Sequence, residues 1–201
     1  MQPDKQTSRR ARAPARPPPR EAQRDDELFD IVNERDEVTG RATRREVHAK
    51  KLRHRATHVV VGDARGRVFL QKRSALKDTA PGRWDSACSG HVDSGETYEA
   101  AAVRELREEI GIDAAGPGAL ETLFTLAPCE ANGWEFVRIF RLRSRGPFRF
   151  ALNPAEIERG KWWTLAALER ALAARPQDFT NALRMVWNRL RTEERGTKSA
   201  K

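Results

Sequence analysis

Glu105, Glu108 and Glu109 crowd into one short segment that also holds Glu96 and Arg104. On an α-helix each residue advances about 100°, so these three glutamates fall within an arc of roughly 100° on one face. Val103, Leu106 and Ile110 are expected on the opposite side, as the apolar stripe that docks a helix on a sheet. Like charges at such spacing repel by a few tenths of a kcal/mol unless a cation sits between them. Charged helix faces are commonly only solvated. Oxygen donors at this density, however, also suit a hard divalent cation, which takes a few carboxylates and keeps room for water and phosphate oxygens. The chemistry open to such a site is phosphoryl chemistry, in which positioning, charge neutralisation and water activation carry most of the rate. Gly90 and Gly95 bracket the preceding loop and let its backbone turn sharply beside a ligand, and Gly111 reads as the helix stop.

Residues Gly90 to Ile112 match G x5 E x7 R E U x E E x G U, where U is bulky and aliphatic, with Gly90, Glu96, Arg104, Glu105, Leu106, Glu108, Glu109, Gly111 and Ile112 in register. This stretch resembles the Nudix box. The resemblance implies an α/β fold, a Nudix-like α/β/α sandwich with a central mixed sheet. It also implies dependence on Mg²⁺ or Mn²⁺ and hydrolysis of the diphosphate linkage in a nucleoside diphosphate derivative or related organic diphosphate. By the same resemblance Glu105, Glu108 and Glu109, with Gly90, hold metal, and Arg104 orients the site through an ion pair with Glu96. Gly90, His91 and Glu135 fall to substrate binding.

The elements that must position these groups follow from pattern. LFDIVN from Leu28 reads as a strand, Asp36 to Gly40 as a turn and Thr43 to Leu52 as a short basic helix. Thr57 to Val61 and Val68 to Lys72 read as strands joined by a hairpin turn over Asp63 to Gly66. Leu120 to Leu126, Glu135 to Leu142 and Lys161 to Thr164 read as further strands. Leu165 to Ala174 and Asp178 to Arg191 read as helices. A chain of 201 residues with 38% hydrophobic content supports one domain with tails. Residues 1–27 are expected as a disordered basic Pro/Arg-rich tail, 28–191 as the Nudix domain and 192–201 as a flexible C-terminal tail.

The net charge of +9 invites a nucleic-acid reading, but the first 24 residues hold seven Lys or Arg against two acids, so much of the excess sits in the tail. A solvated tail explains it, and no specific nucleic-acid partner is expected. Neither a membrane span nor a signal peptide is expected, and Arg9 and Arg10 are not read as an export signal. Cys88 and Cys129 give no disulfide framework and no CxxC pattern. A cytoplasmic enzyme with a small-molecule diphosphate as its partner is expected, with room for a homodimer.

His54 to His91, HRATHVVVGDARGRVFLQKRSALKDTAPGRWDSACSGH, is similar to the isopentenyl diphosphate isomerase-like branch of Nudix proteins. In the isomerase a cysteine precedes the box glycine; here Ser89 stands there and Cys88 is displaced by one. The isomerase box is degenerate, whereas this one is intact, and both departures favour hydrolysis. The alternatives are an isomerase-like enzyme and a non-catalytic diphosphate-binding module, though a module would be expected to lose box carboxylates. The same resemblance raises a second metal site: His54, His91 and Glu135 match ligand positions and His48 is offset by one. Glu135, with Glu130 and Glu156 as rivals, is also a candidate general base. Strand alternation places Glu135, Val137 and Ile139 on one face of their strand. His58 reads as structural, and Trp162 and Trp163 read as core rather than as stacking surfaces.

Overall fold

The structure is a computed structural model that describes residues 24–114, 116 and 118–199, without the side chains of 194–199. The tail expected over 1–27 lies, up to residue 23, outside the described residues, as do Ala200 and Lys201. In chain order the elements are β1 (Leu28–Val32), β2 (Val38–Thr43), α1 (Arg44–Lys50), β3 (His54–Gly62), β4 (Arg67–Arg73), β5 (Trp84–Asp85), β6 (Cys88–His91) and α2 (Tyr98–Ile110). There follow β7 (Leu120–Leu126), β8 (Glu135–Leu142), β9 (Ile157–Thr164), α3 (Leu165–Ala174) and α4 (Asn181–Ser199).

The main sheet runs β5-β4-β3-β8-β7, with β6 paired to β3 and β9 to β4. It is mixed, because β3 and β8 are parallel while β3 pairs antiparallel with β4 and β6. Alternation along β3 decides its faces. Val59 and Val61 pack with Cys88, Leu106 and Ile110 under α2. Ala56 faces the other way and packs with Val137, Ile139 and Val186 of α4. Leu70, Trp163, Leu168, Leu183 and Trp187 extend that second layer through α3 and α4. The result is the expected α/β/α sandwich. Leu106 and Ile110 are fully buried, and each such side chain contributes about 1.5–3 kcal/mol.

Several boundaries differ from the sequence reading. The turn falls on 33–37, where Asn33 Oδ1 accepts from the N–H groups of Arg35 at 2.8 Å and Glu37 at 3.1 Å. Val38 to Gly40 therefore enter β2 and not the turn. Thr43 caps α1 in a reciprocal box with Glu46, and Lys51 ends the helix in left-handed conformation. β3 starts at His54 instead of Thr57, and β9 starts at Ile157 instead of Lys161. The last helix continues past the expected end at Arg191 to Ser199, so 192–199 are helical rather than a tail. Trp162 and Trp163 pack in the core, as expected.

Candidate active site

Helix α2 starts at an N-cap, Thr97, whose side chain accepts from Ala100 N, and ends at Gly111 with φ 71°. A Cβ on Gly111 would come within 2.6 Å of Ala151 Cβ, so both conformation and space demand glycine there. Of the box carboxylates, Glu109 is only 3% exposed, and the Glu105 and Glu108 side chains are 12% and 35% exposed. This corrects the expected division into an apolar and an acidic face. Ala101 and Ala102 widen the buried arc, and Glu109 falls inside it while Val103 lies at its margin.

Arg104 holds the cluster together. Its Nε and Nη2 donate to Glu96 Oε1 and Oε2 at 3.1 and 2.9 Å, a forked pair, and Nη2 also donates to the His91 carbonyl at 2.9 Å. Its Nη1 donates to Glu105 Oε1 at 2.5 Å and lies 3.7 Å from Glu108 Oε2. Glu105 rests against the backbone of Gly90, where a Cβ would meet Glu105 Oε1 at 2.0 Å. Burial pushes the Glu105 carboxyl up to about 7, with Arg104 opposing and Glu108 and Glu156 adding to the rise. Burial also raises Glu109 well above the usual carboxylate range, and Glu105 and Glu156 raise it further. Crowded, buried oxygens that resist ionisation are what a divalent cation would relieve, so the donor set fits Mg²⁺ or Mn²⁺.

Four supporting groups were not singled out from the sequence. Gln71 Nε2 donates to Glu109 Oε2 at 2.9 Å, and Ser89 N donates to the same oxygen at 3.2 Å. Lys77 pairs with Glu156, and Lys77 and Arg73 pull the Glu109 carboxyl down against its other neighbours. Asp30 accepts from Ser94 Oγ at 2.7 Å and from Gly95 N at 3.0 Å, which fixes the loop before Glu96. Only Gln71 left a trace in the sequence, as an amide on the inward side of a strand whose Phe69 is core.

The remaining candidates meet on the other side of Gly90. Ring nitrogens of His48, His54 and His91 lie within 4.8 Å of one another. Glu135 Oε1 is 3.2 Å from His91 Nε2 and 3.5 Å from His54 Nε2, and the latter nitrogen is buried without a hydrogen-bond partner. Burial lowers His91 to about 4, and His48 is lowered too, chiefly by burial. Burial favours a neutral Glu135, but the two histidines outweigh it and hold the carboxyl well below its ordinary range. The lowering at His48 and His91, beside a carboxylate, favours the neutral imidazole that metal ligation requires. Phe29 stacks on His91 at a centroid separation of 4.6 Å. His58 is buried, with Nδ1 3.0 Å from Ser86 Oγ.

Arg104, Glu105, Glu108 and Glu109 of the one group and His48, His91 and Glu135 of the other line one cavity of about 1440 Å³, together with Ser89, Gly90 and Glu156. Cys88 is fully buried on the α2 side of the sheet, where burial raises its thiol well above its ordinary value. Glu130, a rival of Glu135, lies at the cavity margin and pairs with Lys51, its side chain 80% exposed.

The NUDIX domain profile matches residues 52–183. A Yersinia pestis protein described as an uncharacterized Nudix hydrolase is 38% identical over 154 residues, covering 77% of this chain and 80% of that protein. Isopentenyl-diphosphate Delta-isomerase 2 of Photorhabdus laumondii is 31% identical over 167 residues, covering 82% of this chain and 93% of the isomerase. Among solved structures, DR0079 from Deinococcus radiodurans aligns with a TM-score of 0.64 at 30% identity, over 74% of this chain and 90% of that one. The chain belongs to the Nudix hydrolase family, whose enzymes act on pyrophosphate bonds. No described helix is long and apolar enough to cross a membrane.

Proposed function

We propose that this chain is a Mg²⁺- or Mn²⁺-dependent hydrolase of the diphosphate linkage in a nucleoside diphosphate derivative or related organic diphosphate. The observation that carries the reading is the convergence of Glu105 and Glu108 on Arg104 in the cavity wall, with Glu105 pressed against Gly90 and electrostatically coupled to Glu109. Glu105, Glu108 and Glu109, with the Gly90 backbone, would hold the metal, which when bound neutralises phosphate charge and lowers the pKa of water. Arg104 keeps Glu105 in place and is itself fixed by the Glu96 fork, so the carboxylates are set before substrate arrives. Glu156 supports the role of general base better than Glu135 or Glu130. All three line the cavity and all three are paired, Glu156 with Lys77, Glu135 with histidines and Glu130 with Lys51, but Glu156 is the one that acts electrostatically on Glu105 and Glu109.

His91 and Glu135 serve substrate binding, and His48, His54, His91 and Glu135 would also hold a second metal. The buried His54 Nε2, which has no hydrogen-bond partner, and the lowering of His48 and His91 support that donor set. Metal analysis of the purified chain and of a His54→Ala variant tests it, since loss of one bound equivalent is expected. An isomerase-like reaction has less support, because Cys88 is sealed in the core and serine is a weak acid or base at Ser89. The catalytic unit is residues 28–191, the setting cytoplasmic, and the partner a small molecule.

The reading is tested by screening nucleoside diphosphate sugars, dinucleotides, nucleoside triphosphates and prenyl diphosphates for released phosphate or nucleotide. Turnover should vanish with chelator and return with Mg²⁺ or Mn²⁺. Undiminished turnover after verified metal removal rejects it.

A further inference from the structure

Helix α4 begins at the wall of the cavity, which Thr180, Asn181 and Ala182 line. Thr180 Oγ1 accepts from Leu183 N at 3.1 Å, and the Thr180 carbonyl accepts from Arg184 N at 3.1 Å. Among the described residues the N–H groups of Asn181 and Ala182 have no partner. A helix as long as Asn181–Ser199 carries about half a positive charge at such N–H groups. Helix ends of this kind are commonly only solvated.

A buried polar side chain faces the same cavity. His58 is only 4% exposed, and its strand is paired on both sides, with Ser89 of β6 and Ile139 of β8. Ser86 Oγ lies 3.0 Å from Nδ1, and with that hydroxyl donating, Nε2 carries the ring hydrogen. Nε2 has no partner among the described residues, yet it is not one of the side-chain atoms sealed from solvent. It therefore opens on the cavity that His58 lines.

The two features meet at Asp85. Its Oδ1 accepts from Thr180 Oγ1 at 2.9 Å and from Ser86 N at 2.8 Å, and lies 3.8 Å from His58 Nδ1. Arg73 Nη1, 3.6 Å from Asp85 Oδ2, offsets that charge. Thr180 N donates to the Trp84 carbonyl at 2.9 Å, which brings Arg83, one residue earlier, to the helix end. Arg83 lines the cavity, is exposed, and its side chain has no partner among the described residues. The box lies one strand away, since Ser89, opposite His58, donates from its N to Glu109 Oε2. The cavity of about 1440 Å³ exceeds the roughly 300–1,000 Å³ usual for a ligand site and has room for both.

We infer that Arg83, His58 Nε2 and the N-terminal turn of α4 form a subsite, separate from the box, for a phosphomonoester on the group that the diphosphate carries. The place of that phosphomonoester in the substrate rests on the diphosphate reading above; the binding of phosphate does not. Helix N-termini favour anions, and a guanidinium forks onto phosphate oxygens. A guanidinium, an imidazole N–H and adjacent backbone N–H groups suit the three terminal oxygens of a phosphomonoester better than the two of a carboxylate.

Isothermal titration of the full chain in excess EDTA isolates the subsite, because box carboxylates without metal repel anions. Inorganic phosphate and ribose 5-phosphate should bind with dissociation constants within about threefold of each other, and acetate about tenfold more weakly. Arg83→Ala should weaken phosphate about tenfold. Asn181→Pro, which removes one N–H where proline readily starts a helix, should weaken it several-fold. His58→Phe keeps a ring without Nε2 and should weaken it too; the two exposed positions carry the test if this core variant does not fold. With Mg²⁺ and saturating methylenediphosphonate, phosphate should still bind. No saturable phosphate binding in EDTA, undiminished binding in Arg83→Ala, failure of ribose 5-phosphate alone, equal binding of acetate, or displacement by methylenediphosphonate overturns the inference. Failure of methylenediphosphonate itself to bind removes the diphosphate reading and the substrate it implies, while the titrations in EDTA still decide the subsite.

Discussion

Gln71 donates from Nε2 to Glu109 Oε2 at 2.9 Å, and both side chains are buried. The bond fixes the orientation of a carboxylate whose ionised form is otherwise disfavoured by burial. Gln71→Leu keeps the volume and removes the donor, leaving Ser89 N on that oxygen. Outer partners of metal ligands are typically worth about 10–100-fold in metal affinity or activity. A Mn²⁺ titration of turnover should therefore show a right-shifted midpoint of that order. An unshifted midpoint would mean that Gln71 only fills space.

The Glu96–Arg104 fork predicts an asymmetry between two conservative changes. Arg104→Lys keeps the charge but cannot span both Glu96 oxygens, the His91 carbonyl and Glu105 at once. Turnover should fall by about 10²-fold, since small misplacements of catalytic groups cost that much. Arg104→Ala leaves Glu96 and Glu105 without the shared cation and should fall further. Equal activity of the lysine variant and the unmodified chain, in steady-state assays, would contradict the positioning role.

A pH effect on stability follows from Arg44 and Asp78, joined at 2.7 Å between α1 and the loop after β4. Burial raises the Asp78 carboxyl, but the hydrogen bond and charge of Arg44 outweigh it and bring the pKa from 3.8 to about 2. A depressed carboxylate stabilises the fold above its unfolded pKa, and that contribution is lost as pH falls from about 4 towards 2. Asp78 is 44% exposed, so after solvent screening the contribution is about 0.5–1 kcal/mol. Thermal melts of Asp78→Asn should show a midpoint roughly 1–4 °C lower at pH 7 and a flatter decline below pH 4. An unchanged acid limb would remove the ion pair from the account.

The box was legible because its chemistry is contiguous: a loop and one helix carry the donors, so spacing gathers the glutamates, while the pairing of Glu96 with Arg104 came from the family resemblance. The burial of Glu109 was not legible, because Ala101 and Ala102 build part of the core face without a strong apolar signal. Gln71, Arg73, Lys77 and Asp30 lie far from α2 in sequence and reach the box only through strand pairing and loop packing. The start of β2, Val38 to Gly40, was read as turn because Asp36 and Gly40 are turn residues, and the antiparallel partner β1 supplies what propensity does not. The histidines were found by resemblance, and their common cavity with the box emerges only in three dimensions.

The central claim is that water attacks a diphosphate held at the box carboxylates, with no role for the thiol beside it. Glu109→Gln removes charge at nearly constant shape, whereas Cys88→Ala removes a fully buried sulfur on the α2 side of the sheet. Turnover of both variants on the best substrate of the panel, with circular dichroism confirming the fold, compares the two directly. The account predicts that Glu109→Gln loses about two orders of magnitude or more in kcat while Cys88→Ala stays within about twofold of the unmodified chain. Loss of activity in Cys88→Ala with retention in Glu109→Gln would contradict it and move the chemistry to proton transfer at the thiol.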